Sequence, residues 1–293
     1  MILITGATGF VGRALVRRLS RRYKLRCIIR DTSKILSSDP NVTFLEGSLT
    51  DPAFLSRALQ GVKIVVHIAA VLDPKDPSLH TVNVLGTQSL LAAARHVKVR
   101  HFIFLSTENV THGCRDAYTL SKVHAESLVQ QFPNHLILRE PIIYGPGDER
   151  YIGKLIVLLL RYPIIPIPGR GQWTFQPIFI DDLVSYIEES IQRHIIGTYT
   201  LAGKDTLTYL DLVDLLQQEL HQSKPYLFVP LSLLRFAAGF LSLFGISPPL
   251  TRTQLSNLTS SRTHSLKEQY ATFKHRPLSL KQGIKQTLQT KSL

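Results

Sequence analysis

Tyr118 and Lys122 are the residues whose types and spacing point most directly to chemistry. They lie four positions apart, and residues four apart share one face of a helix. A phenol ionises at about pH 10, but a neighbouring ammonium favours the phenolate and lowers that pKa. The pair therefore predicts a proton donor and acceptor that works near neutral pH.

Ser106 and Thr107 offer hydroxyl groups one loop before this pair. They follow an apolar run at 101–105 that predicts a strand. Ligands bind at the carboxyl ends of the strands in parallel sheets. We therefore expect these hydroxyls and the Tyr118 helix to meet at one site.

A glycine-rich turn stands between the first apolar run and the first amphipathic stretch. Its spacing is G-x-x-G-x-x-G, with the strand before it and the helix after it that a phosphate-binding turn requires. Glycines let the backbone approach a pyrophosphate closely, and the helix N-terminus presents N–H groups and the positive end of its dipole. We expect the dinucleotide phosphates to be bound by Gly6, Thr8, Gly9, Phe10, Val11 and Gly12.

The end of the predicted second strand bears on the choice between NAD and NADP. An acidic side chain there accepts hydrogen bonds from the ribose 2′-hydroxyl, whereas an arginine suits a 2′-phosphate. The sequence reads Ile29-Arg30-Asp31, and Arg13 adds positive charge on the preceding helix. We favour NADP bound through Arg30; the alternative is a surface cation beside Asp31.

Apolar runs and amphipathic stretches alternate along the first half of the chain. Strands are predicted at 2–4, 25–29, 42–45, 63–68, 101–105 and 136–138, and helices at 11–22, 51–59, 82–95 and 118–131. This alternation predicts an α/β fold, a Rossmann-type doubly wound parallel sheet. A strand at 175–180 is expected to return to that sheet, followed by a helix that Asp181 or Asp182 caps. The predicted dinucleotide-binding domain comprises 1–140 and 175–203, and a smaller, mainly helical substrate lobe comprises 141–174 and 204–293.

Taken together, the motifs resemble those of the extended short-chain dehydrogenases/reductases, the NAD-dependent epimerase/dehydratase family. The resemblance covers nearly the whole chain. It rests on the glycine turn and on His67-Ile68-Ala69-Ala70, Asn83-Val84-Leu85-Gly86-Thr87, Leu105-Ser106-Thr107, Tyr118 to Lys122 with Glu126, Tyr144-Gly145-Pro146-Gly147-Asp148 and Ile180-Asp181-Asp182.

The resemblance implies roles for the matching positions. Tyr118 would be the catalytic acid and base, Lys122 would hold the nicotinamide ribose and tune Tyr118, and Thr107 would bond the reacting oxygen, in preference to Ser106. Other positions would contribute to cofactor binding: Ala69 and Ala70 in the cofactor groove, the backbone near Pro141 and Ile142 at the nicotinamide, and Ser48 with Leu49 at the adenine.

Two departures from the family pattern qualify these roles. Ser48 stands where the family usually has an aspartate that contacts the adenine. Phe175, followed by Gln176-Pro177, stands near the position where nucleotide-sugar members carry a phosphate-binding arginine. In this respect the chain resembles the branch of the NADH-ubiquinone oxidoreductase accessory subunit and its bacterial relatives.

Composition bounds the possible partners. The formal net charge is +13, but the cations lie in short helical runs without interleaved aromatics, so we expect no nucleic-acid partner.

Two cysteines without metal-ligand spacing fit a reducing cytosol, and no metal is expected. The first strand begins at Ile2, which leaves no room for a signal peptide, and no apolar run reaches the ~18–20 residues of a membrane span. We expect a cytoplasmic protein.

The apolar stretch 231–246 carries Arg235 as its single charge. It predicts a lid over a lipophilic substrate, a surface that enters a membrane, or a helix packed on the substrate lobe. We expect a small-molecule substrate and peripheral membrane contact through 231–250. The leading hypothesis is an NAD(P)-dependent oxidoreductase acting on a hydrophobic alcohol or ketone. The alternatives are a nucleotide-sugar epimerase or dehydratase and a non-catalytic NAD(P)-binding assembly or redox-sensing protein of a membrane complex.

Overall fold

The computed structural model divides the chain into two compact units. It describes residues 1–35, 39–113, 116–234, 236 and 261–291. The first unit comprises Met1–Pro141, Ile180–Leu201 and Lys267–Arg276, and the second comprises Ile142–Phe179, Ala202–Leu266 and Pro277–Leu293. Lys267–Arg276 therefore belongs to the first unit, although it falls within the stretch predicted for the substrate lobe. The ring of Phe273 in this segment packs edge-on against Tyr186 and Tyr199.

Seven parallel strands form the sheet of the first unit. They are β1 (Ile2–Thr5), β2 (Leu25–Ile29), β3 (Val42–Glu46), β4 (Ile64–His67), β5 (His101–Thr107), β6 (His135–Glu140) and β11 (Gly197–Thr200). Their order is β11-β6-β5-β4-β1-β2-β3. The chain reverses its direction of progress at β1, which is the switch point where such sheets bind ligands. The predicted doubly wound Rossmann-type sheet is confirmed.

Helices cover this sheet. They are α1 (Phe10–Leu19), α2 (Pro52–Ala58), α3 (Gly86–His96), α4 (Ala117–Val129), α6 (Ile180–Arg193) and α8 (Lys267–Thr272). The Asp51 carboxylate caps α2 by accepting from the backbone N–H groups of Ala53 and Phe54. The predicted cap of α6 is wrong, because that helix already begins at Ile180 and both aspartates lie in its first turn.

The core explains why the strands carry near-continuous apolar runs. Side chains of successive residues in the central strands, such as Leu3, Ile4, Val65 and Val66, are all fully buried, so both faces of the sheet are covered. One face packs against α2, α3 and α4 through a single apolar cluster. The strands that end at the carboxyl edge of the sheet are thereby anchored in a packed core.

Three helices and three strand pairs are defined within the described residues of the second unit. The helices are α5 (Ile152–Arg161), α7 (Tyr209–Glu219) and α9 (Leu280–Lys291). The pairs are β7 (Ile143–Tyr144) with β10 (Ile178–Phe179), β8 (Ile165–Pro168) with β13 (Tyr226–Val229), and β9 (Thr174–Phe175) with β12 (Leu207–Thr208). The prediction that a strand at 175–180 returns to the main sheet is wrong. The residues of this stretch pair with β7 and β12 of the second unit instead.

The stretch 231–250 lies mostly outside the described residues, which include only 231–234 and 236 of it. Within the part of the chain that is described, none of the helices has the length and apolar character needed to span a bilayer.

Candidate active site

The glycine turn packs so tightly that two of its glycines leave no space for a side chain. Gly6 has φ +75°, and a Cβ there would lie 2.7 Å from the backbone nitrogen of Ala69. A Cβ on Gly12 would lie 2.0 Å from the carbonyl oxygen of Gly6. The turn is closed by a hydrogen bond from Gly9 N–H to Gly6 O at 3.1 Å. Glycine is therefore required by close backbone approach, as the spacing predicts.

The N-terminus of α1 suits a phosphate. Gly9 is its N-cap, no side chain caps the helix, and its first turn contains no acidic residue. The Arg13 Nε donates to the carbonyl oxygen of Thr8 at 2.8 Å, which holds the turn against the helix. The free N–H groups and the dipole at this end favour an anion. The turn from Gly6 to Gly12 therefore fits the pyrophosphate of a dinucleotide.

A buried histidine connects β1, β4 and α3 at this edge of the sheet. His67 Nδ1 lies 2.6 Å from Thr5 Oγ1, and His67 Nε2 lies 2.9 Å from Thr87 Oγ1. The Thr87 hydroxyl donates to the carbonyl oxygen of Asn83, so Nε2 is the donor and Nδ1 accepts from Thr5. Burial, aided by the charge of Lys122, lowers the pKa of His67 to about 3. His67 is therefore a neutral structural group.

This network fixes the predicted wall of the cofactor groove. Thr5 Oγ1 accepts from the backbone N–H groups of Ile68 at 3.2 Å and of Ala69 at 3.1 Å. Ala69 and Ala70 are half-buried and come one residue after the end of β4. The close approach of Ala69 to Gly6 brings this wall beside the glycine turn.

Asn83 extends the network to the helix that carries the predicted acid/base pair. Its side-chain amide exchanges two hydrogen bonds with the backbone of Val71 and donates to Ser121 Oγ at 2.9 Å. The Ser121 hydroxyl in turn donates to the carbonyl oxygen of Tyr118 at 2.7 Å. The groove wall and α4 are thus held together by buried side chains that the sequence did not single out as polar partners.

Lys122 is buried and its ammonium is held at the end of β5. Nζ donates to the carbonyl oxygen of Leu105 at 2.6 Å and lies 4.3 Å from the centre of the Phe104 ring. Burial lowers the pKa of Lys122, an effect opposed by the charges of Glu140 and Glu126. Tyr118 lies one helical turn earlier on the same face of α4 and is half-buried. The structure therefore brings the predicted pair to the carboxyl edge of the sheet.

The two hydroxyl residues at the end of β5 differ in their surroundings. Thr107 is almost fully buried, and its Oγ1 accepts from the backbone N–H of Asn109 at 3.4 Å. Among the described residues no acceptor is found for its hydroxyl proton, which can therefore be given to a ligand oxygen. Ser106 is fully buried, and its Oγ has no hydrogen-bond partner among the described residues. This geometry is compatible with the predicted preference for Thr107.

Glu140 is a site residue that sequence reasoning missed. It ends β6 in register with Thr107 of β5. Burial raises the pKa of Glu140, the Lys122 charge opposes that shift, and the charge of Glu108 adds to it. Glu108 itself is buried. A carboxyl with a raised pKa beside a lysine with a lowered one is an arrangement that favours proton chemistry.

A salt bridge stabilises the strand that ends at Glu140. Arg139 Nη2 lies 2.6 Å from Glu126 Oε2, and Arg139 Nε lies 3.0 Å from Glu126 Oε1. The two-point geometry fixes both side chains. Glu126 thereby connects α4 to β6, one helical turn after Lys122.

The predicted ribose and adenine residues lie at a more exposed end of the sheet. Arg30 is exposed at the end of β2, and the Asp31 carboxylate accepts from Ser33 N–H at 3.0 Å and from its hydroxyl at 2.6 Å. Ser48 is exposed and its Oγ lies 2.8 Å from Thr50 Oγ1. Leu49 is buried and lies against Gly86.

Pro141 and Ile142 follow Glu140 directly. Pro141 is the last residue of its segment in the first unit, and Ile142 begins the second unit, where its carbonyl oxygen accepts from Ile178 N–H at 2.9 Å. The predicted approach of this backbone to a nicotinamide stays a prediction.

The chain belongs to the NAD-dependent epimerase/dehydratase family, whose model matches residues 2–197. It is 34% identical over 219 residues to a ceramide reductase of Caulobacter vibrioides, covering 73% of this chain and 68% of that enzyme. It is 25% identical over 283 residues to the Photosystem II assembly factor Ycf39 of Trieres chinensis, covering 93% of this chain and 87% of that protein. The chain spans 58% of two further relatives, a dTDP-D-glucose 4,6-dehydratase and a 3β-hydroxysteroid dehydrogenase/isomerase.

Among solved structures, the fold is similar to UDP-glucuronic acid 4-epimerase from Bacillus cereus, described in complex with UDP-glucuronic acid and NAD. The TM-score is 0.79 at 23% identity, covering 99% of each chain. The resemblance to extended short-chain dehydrogenases/reductases is thus confirmed. The expectation that the chain belongs to a family of nicotinamide-dependent enzymes is also confirmed. This family includes both oxidoreductases and epimerases or dehydratases.

Proposed function

We propose that the protein is an NAD(P)-dependent oxidoreductase that interconverts a hydroxyl and a carbonyl group on a hydrophobic substrate. The observation that carries the proposal is the placement of Lys122. Its buried ammonium donates to the carbonyl oxygen of Leu105 in β5, and Lys122 lies on the helix face that also carries Tyr118. A protein that only bound a dinucleotide would have no need of a tyrosine and a buried lysine on one face of α4.

Each residue has a defined task in the direction of reduction. The nicotinamide, when bound, supplies the hydride to the carbonyl carbon. The Tyr118 hydroxyl gives its proton to the carbonyl oxygen, and the Lys122 ammonium stabilises the phenolate that remains. The Thr107 hydroxyl donates a hydrogen bond to the same oxygen while negative charge develops on it. In the direction of oxidation the phenolate takes the proton back.

NADP is the proposed preferred cofactor. The family is NAD-dependent by its description, so the preference rests on residues of this chain. The Asp31 carboxylate is engaged with Ser33, whereas the neighbouring Arg30 is exposed at the end of β2. Arginine suits a 2′-phosphate.

A lipophilic ketone or alcohol is the proposed substrate. The relative at 34% identity is a ceramide reductase, and a steroid dehydrogenase is also among the relatives. Phe175 stands near the position that the family's nucleotide-sugar members give to a phosphate-binding arginine. A substrate of this kind resides in a bilayer, and peripheral contact with a membrane through 231–250 is proposed as a separate property.

The test combines binding with turnover. NADH and NADPH are titrated by fluorescence, and turnover is then measured with long-chain and steroidal ketones and with UDP-glucuronic acid. We expect turnover of a ketone, which Tyr118→Phe lowers by ~10²–10⁴-fold without changing dinucleotide affinity. Tyr23→Phe, a substitution of a half-buried tyrosine elsewhere in the first unit, is the matched control. Turnover of the nucleotide sugar would overturn the substrate class.

A second candidate is a non-catalytic assembly factor. The observation that favours it is the match to Ycf39, which extends over 93% of this chain. If this candidate is correct, Tyr118→Phe leaves every cellular phenotype intact, whereas a substitution of Gly12 that prevents dinucleotide binding abolishes function. Loss of function with Tyr118→Phe would exclude it.

A further inference from the structure

The second unit exposes large apolar side chains in a group. Leu160, Tyr162 and Ile164 are 56%, 58% and 48% exposed, and Leu227, Phe228 and Leu233 are 56%, 51% and 56% exposed. We call these six residues the apolar patch. Exposed apolar groups of this size that lie together mark a surface that meets a partner or a membrane.

Hydrogen bonds show that the two chain segments of the patch are neighbours. Lys224 Nζ donates to the carbonyl oxygens of Leu159 and Tyr162, the latter at 2.8 Å. The backbone N–H of Ile165 donates to the carbonyl oxygen of Pro225 at 3.0 Å. From there β8 and β13 run parallel, with Pro166 beside Leu227. The end of α5 therefore lies beside β13; because successive strand residues point to opposite faces, one of Leu227 and Phe228 faces the same way as this end of α5.

The charge of these segments has a single sign. Residues 150–180 contain no aspartate or glutamate, and neither do residues 220–267. The first of these stretches carries four exposed cations, which are Arg150, Lys154, Arg161 and Arg170. These cations are not offset by an acidic residue within either segment; the neighbouring α7 contributes Asp214, which accepts a hydrogen bond from the Tyr226 hydroxyl of β13.

We propose that the apolar patch and its cations dock the second unit on a bilayer that contains anionic phospholipid. Apolar and aromatic side chains enter the boundary between headgroups and acyl chains, and arginine and lysine contact lipid phosphates. Tyr162 is of the residue type that prefers this interface.

A second copy of the chain is a poorer occupant of this surface. A two-fold contact would place the same patch, and the same cations, against itself. Because the two segments contain no acidic residue, like charges would face one another and oppose association. An anionic lipid surface can bury the apolar side chains and also bind the cations through its phosphates.

The docking surface does not depend on the proposed reaction. It lies in the second unit, on residues to which no catalytic or cofactor role is assigned. If both hold, a lipophilic substrate reaches the enzyme from the membrane on which it sits. A Tyr118→Phe variant should therefore bind vesicles as the wild type does, which separates failure of one proposal from failure of the other.

Vesicle flotation of the full chain tests the proposal. We expect binding to phosphatidylcholine vesicles that contain phosphatidylglycerol, weaker binding at high salt, and little binding to phosphatidylcholine alone. The double variant Leu160→Glu/Leu227→Glu should weaken binding by about tenfold or more. The matched control is Ile196→Glu, at a residue of the first unit that is 51% exposed. Arg161→Glu is compared with Arg21→Glu, since both reverse one exposed charge. Thermal unfolding verifies that each variant is folded.

Several outcomes would overturn the proposal. One is absence of vesicle binding by the wild-type protein. Another is equal binding to neutral and anionic vesicles that salt does not weaken. A third is binding that survives the double substitution in folded protein. If light scattering finds a dimer that Leu227→Glu dissociates, and vesicles are not bound, the surface is an interface between copies.

Discussion

The two halves of the candidate site lie along one edge of the same sheet, yet their side chains are held in different ways. In the proposed catalytic half, Thr107 and Lys122 are buried and have fixed hydrogen-bond partners. In the proposed ribose half, Arg30 and Ser48 are exposed. The catalytic half is positioned by the interior of the protein, whereas the ribose half depends on charge in contact with water.

The difference decides how substitutions should act. Removing a group from a buried network leaves its partners without hydrogen bonds in a place that water does not reach, which costs much more than the bond itself. Removing an exposed charge changes an interaction that solvent and salt already weaken. Effects should therefore decrease from the glycine turn through the buried network to Arg30.

Gly12→Ala should have the largest effect. The new Cβ would meet the carbonyl oxygen of Gly6 at 2.0 Å and the Cα of Ala7 at 2.7 Å, and backbone atoms cannot move aside without opening the turn. We expect dinucleotide binding to be lost in fluorescence titration. Gly61→Ala is the control, because Gly61 has φ +73° and no atom lies within 4 Å of a Cβ there. It should cost ~1–2 kcal/mol of stability and leave binding intact. A folded Gly12→Ala variant with normal affinity would show that the turn does not hold the cofactor.

His67→Leu should lower the free energy of unfolding of the protein. It leaves the Thr5 hydroxyl without its acceptor and Thr87 Oγ1 without its donor, both in the buried network. We expect a loss of about 2–4 kcal/mol in the free energy of unfolding, measured in urea. His124→Leu, at an exposed position of α4, should change it by less than ~0.5 kcal/mol. A loss below ~1 kcal/mol for His67→Leu would contradict the assigned network.

Glu140→Gln should change how the stability of the protein depends on pH. Burial raises the pKa of Glu140 above its ordinary value of 4.5, so between 4.5 and the raised value the folded protein holds a proton that the unfolded chain has lost. Over this range the wild type loses stability as pH rises. Glutamine has no such proton, so the variant should gain stability relative to the wild type between pH 5 and pH 7.

The same substitution should lower the pKa of Lys122. The Glu140 charge raises the pKa of Lys122 against the effect of burial, and its removal should move the lysine pKa further down. If Lys122 controls the alkaline limb of the rate profile, that limb should shift to lower pH in the variant. Melting temperatures that differ by a constant amount from pH 5 to pH 7, with an unmoved limb, would refute this account.

The sequence predicted the fold and part of the site for different physical reasons. Apolar runs and helical periodicity follow directly from burial, so the sheet and the Tyr118–Lys122 face could be read from them. Glu140 could not, because an acidic residue before a proline resembles an exposed turn. Its one signal was its place after the apolar run 136–138, at the same edge as Thr107. The Asn83 and Ser121 bonds also depend on tertiary contacts that spacing does not reveal.

Arg30→Ala should have the smallest effect and should be selective. If Arg30 binds a 2′-phosphate, the dissociation constant of NADPH should rise about three- to tenfold, and that of NADH should not change. The difference between the two cofactors should shrink in high salt. Asp31→Ala is the comparison: weaker binding of NADH but not of NADPH by that variant would favour NAD as the natural cofactor.

A substitution of Asp76 can extend this last test, because the charge of Arg30 affects the pKa of Asp76. The hydrogen bond from the Ser78 hydroxyl lowers the pKa of Asp76 most, and the Arg30 charge lowers it further. Among the causes that shift the pKa of Asp76, the Arg30 charge contributes least, so Asp76 offsets only a small part of the charge that would meet a 2′-phosphate. Asp76→Asn should strengthen NADPH binding and leave NADH binding unchanged, in the opposite direction to Arg30→Ala. If Arg30 is only a surface cation, neither substitution will alter the ratio of the two dissociation constants.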